Sequence, residues 1–170
     1  MDYLKTITKL VNLESFSNEN NQNIINYLIE KFKPYSTEIL KVKNPDSNKY
    51  NLLIGLNTKI NNTNAIILSG HIDTVCADVK AYNTPPNQAT LINNKLFGLG
   101  VIDMKCYFAT IIDNLKTISK LKKPIIVAIT CDEETNLLGV EEVIKTLKQN
   151  NVYPHNNNCW RTNKFNFVFG

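Results

Sequence analysis

Residues 125–130 constrain the fold most, because the run Ile-Ile-Val-Ala-Ile that precedes Thr130 is apolar at every position. A strand with one face in water alternates polar and apolar residues, whereas uniform hydrophobicity is typical of a strand buried on both faces. Such a strand needs a covering layer on each side. The run therefore favours a domain in which helices flank a central sheet.

The rest of the chain supplies the elements of such a domain. Apolar residues at helical spacing predict helices at about residues 1–12, 20–33, 105–121 and 140–149. Strand patterns cover about residues 37–42, 50–55, 65–69 and 95–97, and residues 81–88 are predicted to form an irregular loop. This order predicts an α/β fold, a layered mixed β-sheet flanked by helices.

Three short segments carry histidine or acidic residues at the ends of these elements. They are Ser69-Gly70-His71-Ile72-Asp73, Gly98-Leu99-Gly100-Val101-Ile102-Asp103-Met104-Lys105 and Cys131-Asp132-Glu133-Glu134. In open α/β sheets the binding crevice lies beyond the carboxyl ends of the strands, so the first and third segments should meet there. One imidazole and several carboxylates form the ligand set of hydrolytic zinc sites.

His71 is a candidate metal ligand. In an extended segment, residues i and i+2 share a face, so the Asp73 carboxylate is expected to reach the second ring nitrogen and to orient the imidazole. The alternative is a core histidine paired with a nearby aspartate. Asp103 lies between a glycine turn and a helix start, where it is either a helix N-cap or a carboxylate that bridges two metal ions.

Glu133 and Glu134 are adjacent, so their side chains diverge and can perform different tasks. One can bind a metal ion while the other accepts a proton from water. The alternative is a solvated acidic turn, but its position directly after the buried run 125–130 favours a site.

These segments resemble the motifs of the acetylornithine deacetylase / succinyl-diaminopimelate desuccinylase / carboxypeptidase family of co-catalytic zinc hydrolases, and the acetylornithine deacetylase branch is the most similar. The resemblance implies that His71 and Glu134 bind one zinc ion each, that Asp103 bridges two zinc ions, and that Glu133 is the general base. Asp73 would be a catalytic residue that supports His71. Cobalt is the alternative metal.

The resemblance also implies a cis Asp103–Met104 peptide bond, a small N-acyl amino acid or short peptide as substrate, and a homodimer whose dimerisation domain this sequence does not contain. Cys106 and Asn136 depart from the family pattern, which has glycine at both positions. Two further ligands, a glutamate in a Gly-Glu-Pro-Thr segment and a distal histidine, are absent from the printed reading frame. The domain is therefore expected to be an incomplete zinc hydrolase catalytic domain, in which catalysis is impaired.

Residues 1–154 are expected to form this catalytic part, whereas residues 155–170 are interpreted as an out-of-frame tail. Residues 156–164 can be back-translated, with a chosen set of codons, into a sequence that encodes Ile-Ile-Ile-Val-Gly-Glu-Pro-Thr when it is read one base later. The expected strand and motif thus lie one frame away. The tail itself is predicted to be irregular and to leave the neighbouring sheet edge unpaired.

Composition argues against other classes of function. The net charge of +4 is dispersed, which argues against nucleic-acid binding. No apolar run approaches the ~20 residues of a membrane span, and the N-terminus does not resemble a signal peptide. The four cysteines lack metal-binding or disulfide-framework spacing, so a reduced, cytoplasmic location is expected.

Overall fold

The computed structural model describes residues 2–45 and 47–153, together with the backbone of Cys159 and Trp160. The described helices are α1 (Tyr3–Asn12), α2 (Gln22–Phe32), α3 (Cys106–Ile118) and α4 (Leu138–Gln149). The described strands are β1 (Ser36–Lys43), β2 (Tyr50–Leu56), β3 (Ile66–His71), β4 (Thr90–Ile92), β5 (Lys95–Phe97), β6 (Ile125–Thr130) and β7 (Cys159–Trp160).

Local sequence sets the helix ends. The Asp2 carboxylate accepts a hydrogen bond from the main-chain amide of Lys5 at 3.4 Å and so caps the start of α1. The chain leaves α2 at Lys33, directly before Pro34, because proline cannot donate the next helical hydrogen bond. Both helices bury one apolar stripe in the core, α1 against α3 and α2 against β2.

The main sheet of the described residues has the strand order β1-β2-β6-β3-β7. β1 is antiparallel to β2, and β2 is antiparallel to β6. β3 is parallel to β6, with Gly70 opposite Ile129 and His71 opposite Thr130. The sheet is therefore mixed, as the sequence predicts, and β6 lies at its centre.

Both faces of β6 are buried, in agreement with its uniform hydrophobicity. Val127 and Ile129 belong to the larger core, which α1, α2 and α3 cover. Ile126 and Ala128 face the opposite side, where Val143 of α4 closes a smaller core. This arrangement confirms the layered α/β fold.

Two features differ from the sequence prediction. β3 continues through His71, so the histidine ends the strand and does not follow it. β4 was not predicted, and it pairs with β5 through the turn residues Asn93 and Asn94, both at positive φ. Two successive residues at positive φ are typical of the tight turn that joins a two-residue hairpin.

The C-terminal tail is described only at β7, whose backbone pairs in parallel with Ile67 and Leu68 of β3. The prediction of an unpaired edge is wrong at these two positions, because any extended backbone can supply ladder hydrogen bonds whatever its side chains. The prediction of an irregular tail otherwise falls on residues 154–158 and 161–170, outside the described residues. In the described part of the chain, no helix has the length and apolar character needed to cross a membrane.

Candidate metal centre

The parallel pairing of β3 and β6 brings two of the sequence segments together. His71 lies opposite Thr130, so the residues after each strand leave the sheet at the same edge. The turn after β6 carries Glu133 and Glu134 back over the imidazole of His71. The strand order thus explains how residues about sixty positions apart in the sequence form one site.

The His71 side chain is buried and is contacted at both ring nitrogens. Nδ1 lies 3.0 Å from the main-chain oxygen of Asp73 and 3.5 Å from its carboxylate Oδ1. Nε2 lies 3.0 Å from Oδ1 of Asp103 and 3.9 Å from Oε2 of Glu133. The Nε2 edge therefore faces the acidic residues, whereas the nearest contact of Nδ1 is the main-chain oxygen of Asp73, a difference from the expected carboxylate partner.

Asp103 reaches the site from an irregular turn, Val101–Lys105, that precedes α3. Gly100 begins this turn at φ 76°, a left-handed conformation that glycine adopts without steric cost. The Asp103–Met104 peptide bond is cis, as the resemblance predicts. The Asp103 side chain is 68% exposed and makes no helix cap, so its carboxylate is open to a ligand.

The two glutamates also lie near the His71 imidazole. One ligand atom each from His71, Glu133 and Glu134 lie within 4.8 Å of one another. Asp73 supports the turn, because its carboxylate accepts hydrogen bonds from the main-chain amides of Glu133 at 3.3 Å and Glu134 at 3.1 Å. The structure therefore brings together all five residues that the sequence proposes for the site.

The protonation equilibria reflect this crowding of carboxylates. Burial acts to lower the pKa of His71, but the carboxylates of Asp73 and Asp103 outweigh it and raise the pKa to about 9. Burial raises the pKa of Glu134, and the like charges of Asp103 and Glu133 add to this effect. Burial also acts to raise the pKa of Asp73, but hydrogen bonds from His71 and the Glu134 amide hold it below its ordinary value.

A second set of polar residues supports the site, and the sequence analysis did not identify it. The loop after α1 runs beside the segment after β3: the Ser15 hydroxyl donates to the main-chain oxygen of Ile72 at 2.7 Å, and the Ser17 hydroxyl donates to Oδ2 of Asp73 at 3.0 Å. Lys49 forms a buried ion pair with Asp132. No local periodicity marks these residues, because each acts through a contact with a distant segment.

The two departures from the family pattern have local partners. The Cys106 thiol donates to the main-chain oxygen of Ile102 at 3.3 Å, and burial raises its pKa. The Asn136 side-chain oxygen accepts from the amide of Leu138 at 3.1 Å, at the start of α4. Both side chains therefore fit their positions without displacing a site residue.

The residues present fit a divalent cation. Neutral imidazole nitrogen and carboxylate oxygen are the ligands that zinc binds in hydrolytic sites. Asp103, Glu133 and Glu134 place three carboxyl groups beside the His71 imidazole, and like charges this close repel one another. A cation would relieve this repulsion.

Comparison with known proteins agrees with this geometry. The model of peptidase family M20/M25/M40 matches residues 67–169. An acetylornithine deacetylase of Buchnera aphidicola subsp. Acyrthosiphon pisum is 31% identical over 152 residues, which cover 85% of this chain and 39% of that protein. The acetylornithine deacetylase of Vibrio cholerae is 34% identical over 81% of this chain and 37% of its own length.

Solved structures share the fold. An M20 family metallo-carboxypeptidase from Sulfolobus solfataricus superposes with a TM-score of 0.71 at 18% identity, over 88% of this chain and 35% of that structure. The chain thus spans about two-fifths or less of the length of the relatives that it matches.

Proposed function

Because the chain belongs to peptidase family M20/M25/M40, we propose that His71, Asp103 and Glu134 bind divalent metal ions and that the site hydrolyses an amide bond. The observation that carries this proposal is the convergence of one imidazole nitrogen and several carboxylate oxygens at the end of β3 and β6. A buried imidazole surrounded by carboxylates is a typical ligand set for a divalent cation.

The residues divide into distinct roles. His71 and Asp103 hold one ion, Asp103 and Glu134 hold the second, and zinc is the proposed metal, with cobalt as its substitute. Bound ions of this kind supply Lewis-acid chemistry, which activates water and polarises the amide carbonyl. Glu133 accepts the proton of the attacking water, and its side chain is 23% exposed, so water can reach it. Asp73 keeps the two glutamates and the imidazole in place.

The substrate proposed is a small N-acyl amino acid such as N-acetylornithine, or a short peptide. A cavity of about 630 Å³ opens beside Asp103, a volume typical of small-molecule sites. Tyr82, Leu96 and Phe97 contribute to its wall, and Asp103 lies at one end. Of the five site residues, Asp103 is the one that lines this cavity, and the apolar wall beside it suits an acyl group.

A second candidate function follows from the ligand count. Among the described residues each ion would receive two protein ligands, whereas catalytic zinc sites commonly have three. A half-site that hydrolyses substrate only with a second polypeptide, or a remnant without catalysis, would still contain the same cluster. Both the half-site and the remnant imply that the chain by itself hydrolyses substrate poorly or not at all.

Titration of the purified chain with Co²⁺ tests the proposal, because visible absorption reports the coordination of this ion. We expect saturable binding of Co²⁺ whose stoichiometry falls in Glu134→Gln, which removes a ligand of the second ion, and is unchanged in Glu141→Gln, a matched change at an exposed glutamate of α4. Hydrolysis of N-acetylornithine by the loaded chain would identify an intact enzyme, whereas binding without turnover would favour the half-site. Absence of saturable binding would contradict the proposal.

A further inference from the structure

The ion pair between Lys49 and Asp132 lies in the interior, with 6% and 4% of the two side chains exposed. Asn44 donates a hydrogen bond to the other carboxylate oxygen of Asp132, so the carboxylate has a partner on each oxygen. Removing two charges from water is costly, and a buried pair is often no more stabilising than an apolar pair of similar volume. A buried pair therefore calls for a reason other than stability.

Asp132 is the first residue of the turn that carries Glu133 and Glu134. Its φ of 62° is left-handed, a conformation that is uncommon outside glycine, asparagine and aspartate. Its main-chain oxygen accepts hydrogen bonds from the amides of Leu137 at 2.8 Å and Thr135 at 3.4 Å. A rotation of Asp132 would therefore move Glu133 and Glu134 together.

Lys49 supports the same turn by a second route. Its ammonium group also donates to the main-chain oxygen of Ser17. The Ser17 hydroxyl donates to Asp73, and Asp73 accepts from the amides of both glutamates. The Lys49 ammonium group thus contacts the first residue of the turn, Asp132, directly. Through Ser17 it is also linked to Asp73, whose carboxylate accepts hydrogen bonds from the glutamate amides.

We propose that Lys49 is a positioning residue that fixes the Glu133–Glu134 turn over His71. This proposal rests on the proposed function, since it concerns the geometry with which the glutamates meet a metal ion. An ion pair is suited to the task because charge-assisted hydrogen bonds are directional, whereas apolar packing would tolerate rotation of the turn.

The test compares Lys49→Met with Lys43→Met, a matched change at an exposed lysine of the same hairpin. The first readout is hydrogen exchange at the Glu133 and Glu134 amides, which needs no metal. We expect Lys49→Met to accelerate this exchange by about tenfold or more while the amide of Val127 in β6 keeps its protection. The second readout is Co²⁺ affinity, which should fall by about 10- to 100-fold, the size of effect typical of residues that orient metal ligands.

The double variant Lys49→Met/Asp132→Asn separates positioning from stability. It removes both charges, and asparagine tolerates the left-handed φ, so we expect it to fold even if Lys49→Met does not. A thermal midpoint close to that of the unchanged chain, with exchange still fast and Co²⁺ affinity still low, would support positioning.

Recovery of slow exchange and of affinity in the double variant would overturn the proposal, as would unchanged exchange in Lys49→Met. If the unchanged chain binds no Co²⁺, the proposed function fails by itself, and amide exchange still decides whether Lys49 positions the turn.

Discussion

The Asp73 carboxylate accepts a hydrogen bond from the main-chain amide of Glu134 at 3.1 Å, although 61 residues separate the two in the sequence. This contact joins the segment after β3 to the turn after β6. The negative charge of Asp73 lies next to the main-chain amides of the two glutamates, whose side chains lie near His71. The site therefore depends on Asp73 as much as on the residues that would touch a metal ion.

Replacing Asp73 with asparagine should destabilise the fold. The variant loses the charge that His71 and two main-chain amides contact, and an asparagine NH₂ group cannot accept from those amides. We expect the free energy of unfolding in urea to fall by about 1–3 kcal/mol, the range for a buried hydrogen-bonding group left unsatisfied. Asp78→Asn, at an exposed capping aspartate, should change it by less than about 0.5 kcal/mol. Equal effects of the two substitutions would contradict this role of Asp73.

Gly70 permits the close approach of Met104, the residue that follows Asp103. A Cβ atom at Gly70 would lie 2.6 Å from Met104 Cε and 3.1 Å from Phe108 Cζ. We expect Gly70→Ala to cost about 1–3 kcal/mol through overpacking, measured by denaturant unfolding. Adding Met104→Ala should relieve the clash, so that the double variant loses less stability than the sum of the single variants. Additivity within about 0.5 kcal/mol would show that the two residues do not interact.

The cysteines should differ sharply in reactivity. Cys76 is exposed, whereas Cys131 is buried. Burial, with the nearby charge of Asp132, raises the pKa of Cys131 to about 12. At pH 8 we expect a thiol reagent to modify Cys76 rapidly and Cys131 only after unfolding in urea, as mapped by mass spectrometry of proteolytic peptides. Modification of both at similar rates in the folded chain would mean that the turn after β6 opens readily.

The interpretation of residues 155–170 as an out-of-frame tail makes a prediction about nucleotides. The codons for residues 156–164 should encode Val-Gly-Glu-Pro-Thr when read one base later, and the shifted frame should remain open downstream. Sequencing the coding DNA across codon 155 tests this directly. A shifted frame that is closed or lacks the motif would contradict the interpretation.

Sequence patterns predict the elements whose stability is local or whose burial is uniform. The bounds of β5 and β6 agree with the predicted ranges 95–97 and 125–130, because turn residues and an apolar run mark them clearly. β4 was missed although Asn93 and Asn94 form a recognisable hairpin turn, since its three residues contribute little apolar burial. The predicted irregular loop ends at residue 88, and the pattern of residues 90–92 carries no prediction.

The supporting residues of the site could not be predicted in the same way. His71, Asp103 and Glu134 stand in recognisable segments, whereas Lys49 lies in a polar turn and resembles a solvated surface residue. Only the packing of the β1–β2 hairpin against the turn after β6 buries it beside Asp132. Such a role depends on tertiary contact and leaves no mark on the local sequence.

The most direct measurement is anomalous diffraction at the zinc edge from crystals of the chain soaked in Zn²⁺. We predict a peak about 2.0–2.1 Å from Nε2 of His71 and next to a carboxylate oxygen of Asp103, with Glu133 beside it. The peak should disappear in crystals of His71→Ala, because that variant lacks the nitrogen ligand. A structure in which zinc binds elsewhere would contradict the assignment of this cluster as a metal centre.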